Sequence, residues 1–251
     1  GAAATTHVDL NKNGCGRNFT SDAAGVWNDQ HDHGTHVLGT IIATGTGNSR
    51  NRGVATGIGN SGNRRIRAAK VINRDNRFNS SWVRDGFDYM DNASSCDNPR
   101  PQVINLSAGT DAVGGSGTGS LSRKLDAKTW DYRQLYVISA GNSGSGARTV
   151  SSRGPTGDGR MKPNLVATGT SIQSVNAGTN KGYRSMDGTS MAAPHITGIA
   201  ATLLQHYADF RNRPHLVRAH VMASSIHHND DNTPRNNNSG GRNTYGLGRI
   251  S

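Results

Sequence analysis

Segments in which apolar residues recur at helical spacing alternate along the chain with short, continuous apolar runs. The runs predict buried strands, because a strand that is covered on both faces shows no polar alternation. The predicted strands cover residues 66–72, 102–106, 135–140 and 165–167, and the predicted helices cover residues 33–44, 81–92, 119–132, 190–207 and 214–225. This alternation indicates an α/β fold with a mainly parallel sheet and helices on both faces.

Length and composition favour one globular domain over residues 1–251. A chain of 251 residues with 32% hydrophobic content is long enough to bury one core, and its 33 glycines suit tight turns and close backbone approaches. We find no internal repeat and no linker that would divide the chain. All motifs with candidate chemistry are therefore expected to belong to one domain.

The chain is strongly basic, with a formal net charge of +11. Such a charge favours anionic partners, but the arginines are scattered, and no basic run is interleaved with aromatic residues as in a nucleic-acid groove. No apolar stretch reaches the length that spans a bilayer, and the first residues lack the basic flank and apolar core of a signal peptide. We therefore predict neither a nucleic-acid partner nor a membrane span.

The first segment with candidate chemistry is HGTHVLGT, which begins at His33. A general base must lie within hydrogen-bond reach of its nucleophile. An imidazole at the start of a packed helix, with a glycine beside it, combines a fixed backbone with an open approach. His33 is therefore a candidate general base.

The second segment, GTSMAAPH, contains Ser190 and opens an apolar helix in which Pro194 fits the first turn. A serine at a helix start lies beside unpaired N–H groups and the positive end of the helix dipole, which together suit an oxyanion. The third segment, AGNSG, places Asn142 after an apolar strand, at the strand end where α/β folds gather ligands. These positions indicate Ser190 as a nucleophile and Asn142 as an oxyanion donor.

The segments HGTHVLGT, GTSMAAPH and AGNSG resemble the histidine, serine and oxyanion-asparagine motifs of the subtilisin-like serine proteases. The stretches VINLSAG, SSRGP and YGLGR agree with the same family, so the resemblance spans essentially the whole chain. It implies a three-layer subtilisin-like fold. It also implies a serine endopeptidase that cleaves extended polypeptide segments through an acyl-enzyme intermediate, with His33, Ser190 and Asn142 as catalytic residues.

The same resemblance implies a substrate-binding surface and a setting for the enzyme. Ser107, Ala108 and Gly109 would form the strand edge that pairs with the substrate, while Ala140 and Gly141 would line the primary specificity pocket. No cofactor is expected for the chemistry. The resemblance further implies secretion, and a pro-segment or other domains that flank a core truncated at both ends.

Two features depart from the family pattern. The segment HVDL at residues 7–10 matches a stretch that follows the catalytic aspartate, so we expect the triad acid just before Gly1 and a structural role for Asp9. Loss of the partner that orients a triad histidine costs about 10⁴ in turnover. Between Asn142 and Ser151 the family has a further strand and part of the specificity pocket, whereas this chain has only eight residues.

Two other functions remain as alternatives. A missing triad acid would allow a proteolytically inactive, subtilisin-like binding or scaffold module. His31, His33 and His36 have a spacing that could serve a metallohydrolase, but Thr35 stands where such a cluster needs an acid, and the serine and asparagine motifs stay unexplained. We therefore favour the endopeptidase, predict no catalytic metal, and interpret His36 and His195 as packed helix residues.

The two cysteines and two aspartates have alternative interpretations of their own. Cys15 and Cys96 allow one disulfide or two buried thiols. Asp230 and Asp231 offer oxygen ligands for a structural calcium ion, but their spacing is not diagnostic and a solvated loop remains the default interpretation.

Overall fold

The computed structural model describes residues 6–10, 14–60, 66–92, 100–109, 115–144, 151–226 and 240–250. The chain divides into two compact units, the first formed by Gly1–Gln102 with Ser171–Met186 and the second by Val103–Thr170 with Asp187–Ser251. Each unit is described separately below. The single domain over residues 1–251 remains a prediction.

The strands and helices follow the predicted alternation. The described strands are β1 Gly14–Asn18, β2 Ile66–Lys70, β3 Val103–Leu106, β4 Leu135–Ile138, β5 Ile172–Val175 and β6 Tyr183–Met186. The described helices are α1 His33–Ile42, α2 Thr56–Asn60, α3 Ser80–Asp91, α4 Ser120–Tyr132, α5 Thr189–His206, α6 Pro214–Ala223 and α7 Gly240–Tyr245. All five predicted helices and three of the four predicted strands are therefore confirmed, with ends that differ by a few residues.

In the first unit, β1 and β2 form a parallel pair in which Cys15 lies opposite Arg67. Strand β1 contains glycines instead of a continuous apolar run, because neighbouring side chains occupy the space that larger side chains would need. A Cβ at Gly14 would lie 2.9 Å from the ring of Trp27, and one at Gly16 would lie 2.8 Å from Val26. Cys15 is disulfide-bonded, and the only other cysteine of the chain, Cys96, lies outside the described residues.

The remaining strands of the first unit, β5 and β6, form an antiparallel pair. Helix α1 packs against β5. The core of this unit is centred on four buried residues, Leu10, Ile42, Ala43 and Val175. Burial of their apolar surface, at about 25 cal/mol per Å², holds the end of α1 against the hairpin.

In the second unit, β3 and β4 form a parallel pair from Val103 opposite Leu135 to Leu106 opposite Ile138. Helix α5 packs on both strands, and α6 packs on α5. The buried centre consists of Ala200, Leu204, Val217 and Val221. Because the strands are parallel, their carboxyl ends and the loops that follow them lie at the same edge.

The strand predicted over residues 165–167 is wrong. Only Val166 makes a bridge there, a single parallel contact with Arg249, because no neighbouring strand extends the ladder. In the part of the chain that the structure describes, no helix is both long and apolar enough to cross a membrane.

Candidate functional site

Ser190 lies in the first turn of α5, which the chain enters through a close contact between two glycines. Gly188 has a φ of 138°, a conformation that side chains disfavour. Its N–H donates to the Gly169 carbonyl at 2.8 Å. A Cβ at Gly169 would lie only 2.6 Å from the Gly188 oxygen, so the position of the α5 N-terminus depends on both glycines.

The N–H groups at the start of α5 have acceptors, with one exception. Thr189 N–H donates to Oδ1 of Asn142 at 3.0 Å, and the N–H groups of Met191 and Ala192 donate to Gly188 O at 3.0 and 3.4 Å. Within the described chain, the N–H of Ser190 has no acceptor. This donor, together with the positive end of the helix dipole, suits a negative charge that develops beside the Ser190 hydroxyl.

Asn142 is placed beside the start of α5 by the loop that follows β4. Gly141 has a φ of 93°, and its carbonyl accepts from Ser152 N–H at 2.8 Å. Oδ1 of Asn142 accepts from both the N–H and the hydroxyl of Thr189, at 3.0 and 2.9 Å. Because Oδ1 is engaged twice, the amide orientation is set and Nδ2 is left as the donating group of this exposed side chain.

Ser107 follows β3 and contacts Ser190 from the same edge of the strand pair. Its hydroxyl donates to the Ser190 carbonyl at 2.8 Å. In the opposite direction, the Ser190 hydroxyl lies 3.5 Å from the Ser107 carbonyl. The second unit thus brings Ser190, Asn142 and Ser107 together.

The other predicted substrate-binding residues lie in the same two loops. Ala108 is half-buried, whereas Gly109 and Ala140 are exposed. A Cβ at Gly109 would meet nothing within 4 Å. Space is therefore open beside Gly109.

His33 belongs to the first unit and is the first residue of α1. The start of this helix is capped by Asp29, a buried carboxylate that precedes it by a short loop. Asp29 Oδ2 accepts from the N–H and the hydroxyl of Thr35 at 2.8 and 2.7 Å, and Oδ1 accepts from His31 N–H at 3.1 Å. An anion at this end is favoured by the helix dipole, so Asp29 fixes the backbone on which His33 sits.

Three further contacts attach α1 to the β5–β6 hairpin. Nε2 of His36 lies 2.9 Å from the Ile172 carbonyl and 3.1 Å from the Arg184 carbonyl. The guanidinium of Arg184 also pairs with the carboxylate of Asp32, the residue before His33. His36 is fully buried, so its interpretation as a packed helix residue is confirmed. His195 likewise bonds within its own helix, with Nδ1 2.8 Å from Met191 O.

Burial lowers the pKa of His33 to about 4, an effect to which His31 adds and which the charge of Asp29 opposes. The imidazole is therefore neutral at pH 7 and can accept a proton. A general base works best when its pKa lies near the operating pH. A carboxylate partner for His33 would raise this pKa toward that range.

The alternative of a metal held by His31, His33 and His36 gains no support. Nε2 of His36 is engaged by two backbone carbonyls. Among the described residues, no group of three or more His, Cys, Asp or Glu side chains is arranged to hold a metal ion. Asp230 and Asp231, the candidate calcium ligands, lie outside the described residues, so calcium remains a prediction.

Asp9 is a structural carboxylate, as the sequence predicted. It is completely buried; its Oδ2 accepts from the Tyr183 hydroxyl at 2.5 Å and its Oδ1 from Gly47 N–H at 2.8 Å. Burial raises the pKa of Tyr183, and the hydrogen bond to Asp9 adds to the effect. Asp9 thus joins the loop after α1 to β6.

Sequence reasoning missed the roles of Thr189 and Asp29, which contact Asn142 and the start of α1. The only sequence signal is their closeness to the motifs: Thr189 precedes Ser190, and Asp29 precedes His33 by four positions. The prediction about a shortened segment concerns residues 143–150, of which residues 145–150 lie outside the described part of the chain.

Comparison with known proteins identifies one family. The model of the subtilase family matches residues 3–151 and 144–248. The chain is 28% identical to Subtilisin BL from Lederbergia lenta, over 98% of this chain and 85% of that protein. It is 27% identical to M-protease from Shouchella clausii (strain KSM-K16), of which it spans 60%. The crystal structure of a cold adapted subtilisin-like serine proteinase superposes with a TM-score of 0.64 at 22% identity, covering 100% of this chain and 86% of that one.

Proposed function

Since the chain belongs to the subtilase family of serine endopeptidases, we propose that Ser190 is its nucleophile, His33 its general base and Asn142 an oxyanion donor. The observation that carries this assignment is the contact of Asn142 with Thr189. It directs one side-chain donor to the helix start where the Ser190 N–H has no acceptor among the described residues. Two donors beside one hydroxyl match the needs of a tetrahedral oxyanion.

In the proposed reaction, the Ser190 hydroxyl attacks the carbonyl carbon of the scissile peptide bond while His33 takes the hydroxyl proton. The carbonyl oxygen becomes an oxyanion and is held by Nδ2 of Asn142 and the N–H of Ser190. His33 then gives its proton to the leaving amine, and the acyl group remains on Ser190. Water, deprotonated by His33, releases the acyl group and restores the serine.

The proposed substrate is an extended polypeptide segment. The family resemblance supports backbone pairing of such a segment with Ser107, Ala108 and Gly109, and space is open beside Gly109. Ala140 with Gly141 would form a wall for the side chain before the scissile bond. Backbone pairing tolerates many sequences, so selectivity falls to the pocket. Secretion, a flanking pro-segment and a structural calcium ion are further proposals that rest on the family alone.

The test is labelling of the purified protein with a fluorophosphonate probe. An activated Ser190 displaces fluoride from phosphorus, its proton passes to His33, and the serine oxygen becomes bonded to the phosphorus. We expect labelling of the wild type and none of Ser190→Ala, with Ser143→Ala as a matched control at an exposed serine. Absence of wild-type labelling would favour the inactive scaffold. Absence of labelling together with stoichiometric zinc in the same sample would instead favour the metallohydrolase.

A further inference from the structure

A chain of side-chain hydrogen bonds links the interior of α5 to the end of β3 and returns to Ser190. The Thr197 hydroxyl donates to Oδ1 of Asn105 at 2.9 Å. Nδ2 of Asn105 donates to the Ser107 hydroxyl at 3.0 Å, and that hydroxyl donates to the Ser190 carbonyl at 2.8 Å. With the helix backbone from Ser190 to Thr197, these three bonds close a ring, which we call the Thr197–Asn105–Ser107 relay.

The direction of each bond in the relay follows from the orientation of the Asn105 amide, whose Oδ1 lies 2.9 Å from the Thr197 hydroxyl and whose Nδ2 faces Ser107. The Thr197 hydroxyl also lies 3.2 Å from the Ala193 carbonyl, a longer contact within its own helix. The Ser107 hydroxyl has one proton, and because it accepts from Asn105 that proton goes to the Ser190 carbonyl. Ser107 and Thr197 are both buried, so water does not readily replace either bond.

The relay acts on the residue whose side chain attacks the substrate. It holds the carbonyl of Ser190 itself, and the backbone carbonyl of the same Ser107 lies 3.5 Å from the Ser190 hydroxyl. A shift of the Ser190 main chain would move its hydroxyl and its N–H together. Both groups have assigned tasks in the proposed reaction, and misplacement by about 1 Å can cost about 10²-fold in rate.

We infer that Thr197, Asn105 and the Ser107 side chain are positioning residues for Ser190. This inference rests on the proposed function of Ser190 and adds a role for Ser107 that differs from substrate binding. The relay keeps the nucleophile and its neighbouring N–H in register with Asn142. Its loss is therefore expected to slow the chemical step and to leave substrate affinity unchanged.

Three substitutions interrupt the relay at different points. Ser107→Ala removes the donor to Ser190, and Thr197→Val removes the first hydroxyl with little change of shape. Asn105→Asp is the sharpest change, because a carboxylate still accepts from Thr197 but cannot donate to Ser107. The Ser107 proton is then drawn to the carboxylate and away from the Ser190 carbonyl.

Two variants serve as controls. Thr197→Ser keeps the hydroxyl and should restore the wild-type rate. The Thr197 hydroxyl lies 3.2 Å from the carbonyl four residues earlier in α5, Ala193 O, and the Thr202 hydroxyl makes the same kind of contact at 3.0 Å from Gly198 O. Thr202 is exposed and makes no hydrogen bond with β3 among the described residues, so Thr202→Val reports the cost of losing a helix hydroxyl alone.

The experiment measures the second-order rate of fluorophosphonate labelling and, with a peptide substrate, kcat and KM, at a temperature where circular dichroism shows every variant folded. We expect Ser107→Ala, Asn105→Asp and Thr197→Val to be slower by about tenfold in labelling and kcat, with KM within about twofold. Equal labelling of these variants and Thr202→Val would overturn the relay and leave the proposed function intact. A wild type that does not label would overturn both.

Discussion

The contact between Gly169 and Gly188 offers a strict test of how the second unit places Ser190. Gly169→Ala adds a single methyl group at a position whose backbone conformation any residue can adopt. That methyl carbon would lie 2.6 Å from the Gly188 oxygen and 3.3 Å from the Cβ of Ala192. Both neighbours belong to the entry of α5, so the clash pushes on the helix start directly.

The size of the effect follows from the distance that must be gained. Ordinary contact begins at 3.4 Å, so the contact of 2.6 Å must lengthen by about 0.8 Å. Overpacking of this kind costs about 1–3 kcal/mol of stability. If the α5 start yields, Ser190 moves by a comparable distance, and we expect a loss of about 30- to 100-fold in the rate of fluorophosphonate labelling.

The matched control is Gly119→Ala, in the same unit. Gly119 has a φ of −61° and precedes α4, and a Cβ there would meet nothing within 4 Å. Labelling rates and urea unfolding curves of both variants are compared with the wild type. If Gly169→Ala labels within twofold of Gly119→Ala, the glycine contact does not position Ser190 and the reasoning fails.

Three further outcomes are expected. Asn142→Ala should lower kcat by about 10²–10³, the range known for an oxyanion donor in subtilisin and not a value worked from this structure; an unchanged kcat would remove Asn142 from the mechanism. Asp22→Asn should cost about 3–5 kcal/mol in urea unfolding, because it leaves the buried Lys70, 2.9 Å away, without its partner, whereas Asp158→Asn at an exposed ion pair should change little. Burial lowers the pKa of His33 to about 4, so His33 stays in its base form as the pH falls. The labelling rate of this chain should therefore fall to half its maximum only at a pH below 6.5. A midpoint of the labelling rate at or above pH 6.5 would contradict this.

The sequence by itself was sufficient for the five predicted helices and three of the strands, and it named the candidate residues of the site. Apolar periodicity located helices such as α1 and α5, because each side chain's burial repeats with the helical turn. The predicted α/β, subtilisin-like fold is confirmed by the likeness to a solved proteinase. Asn142 could be placed at the carboxyl end of a strand before any coordinates, because it directly follows an apolar run.

Only the tertiary structure decided which residues orient the site and which strands lack an apolar pattern. In strand β1 the glycines lie close to Trp27 and Val26, which leave no room for larger side chains. No local periodicity indicates that such a segment is a strand. The Thr197–Asn105–Ser107 relay joins positions that are up to 92 residues apart. Contacts of this kind depend on which helix packs against which strand. The sequence pattern of an element indicates which of its faces is buried, but not which other element covers that face.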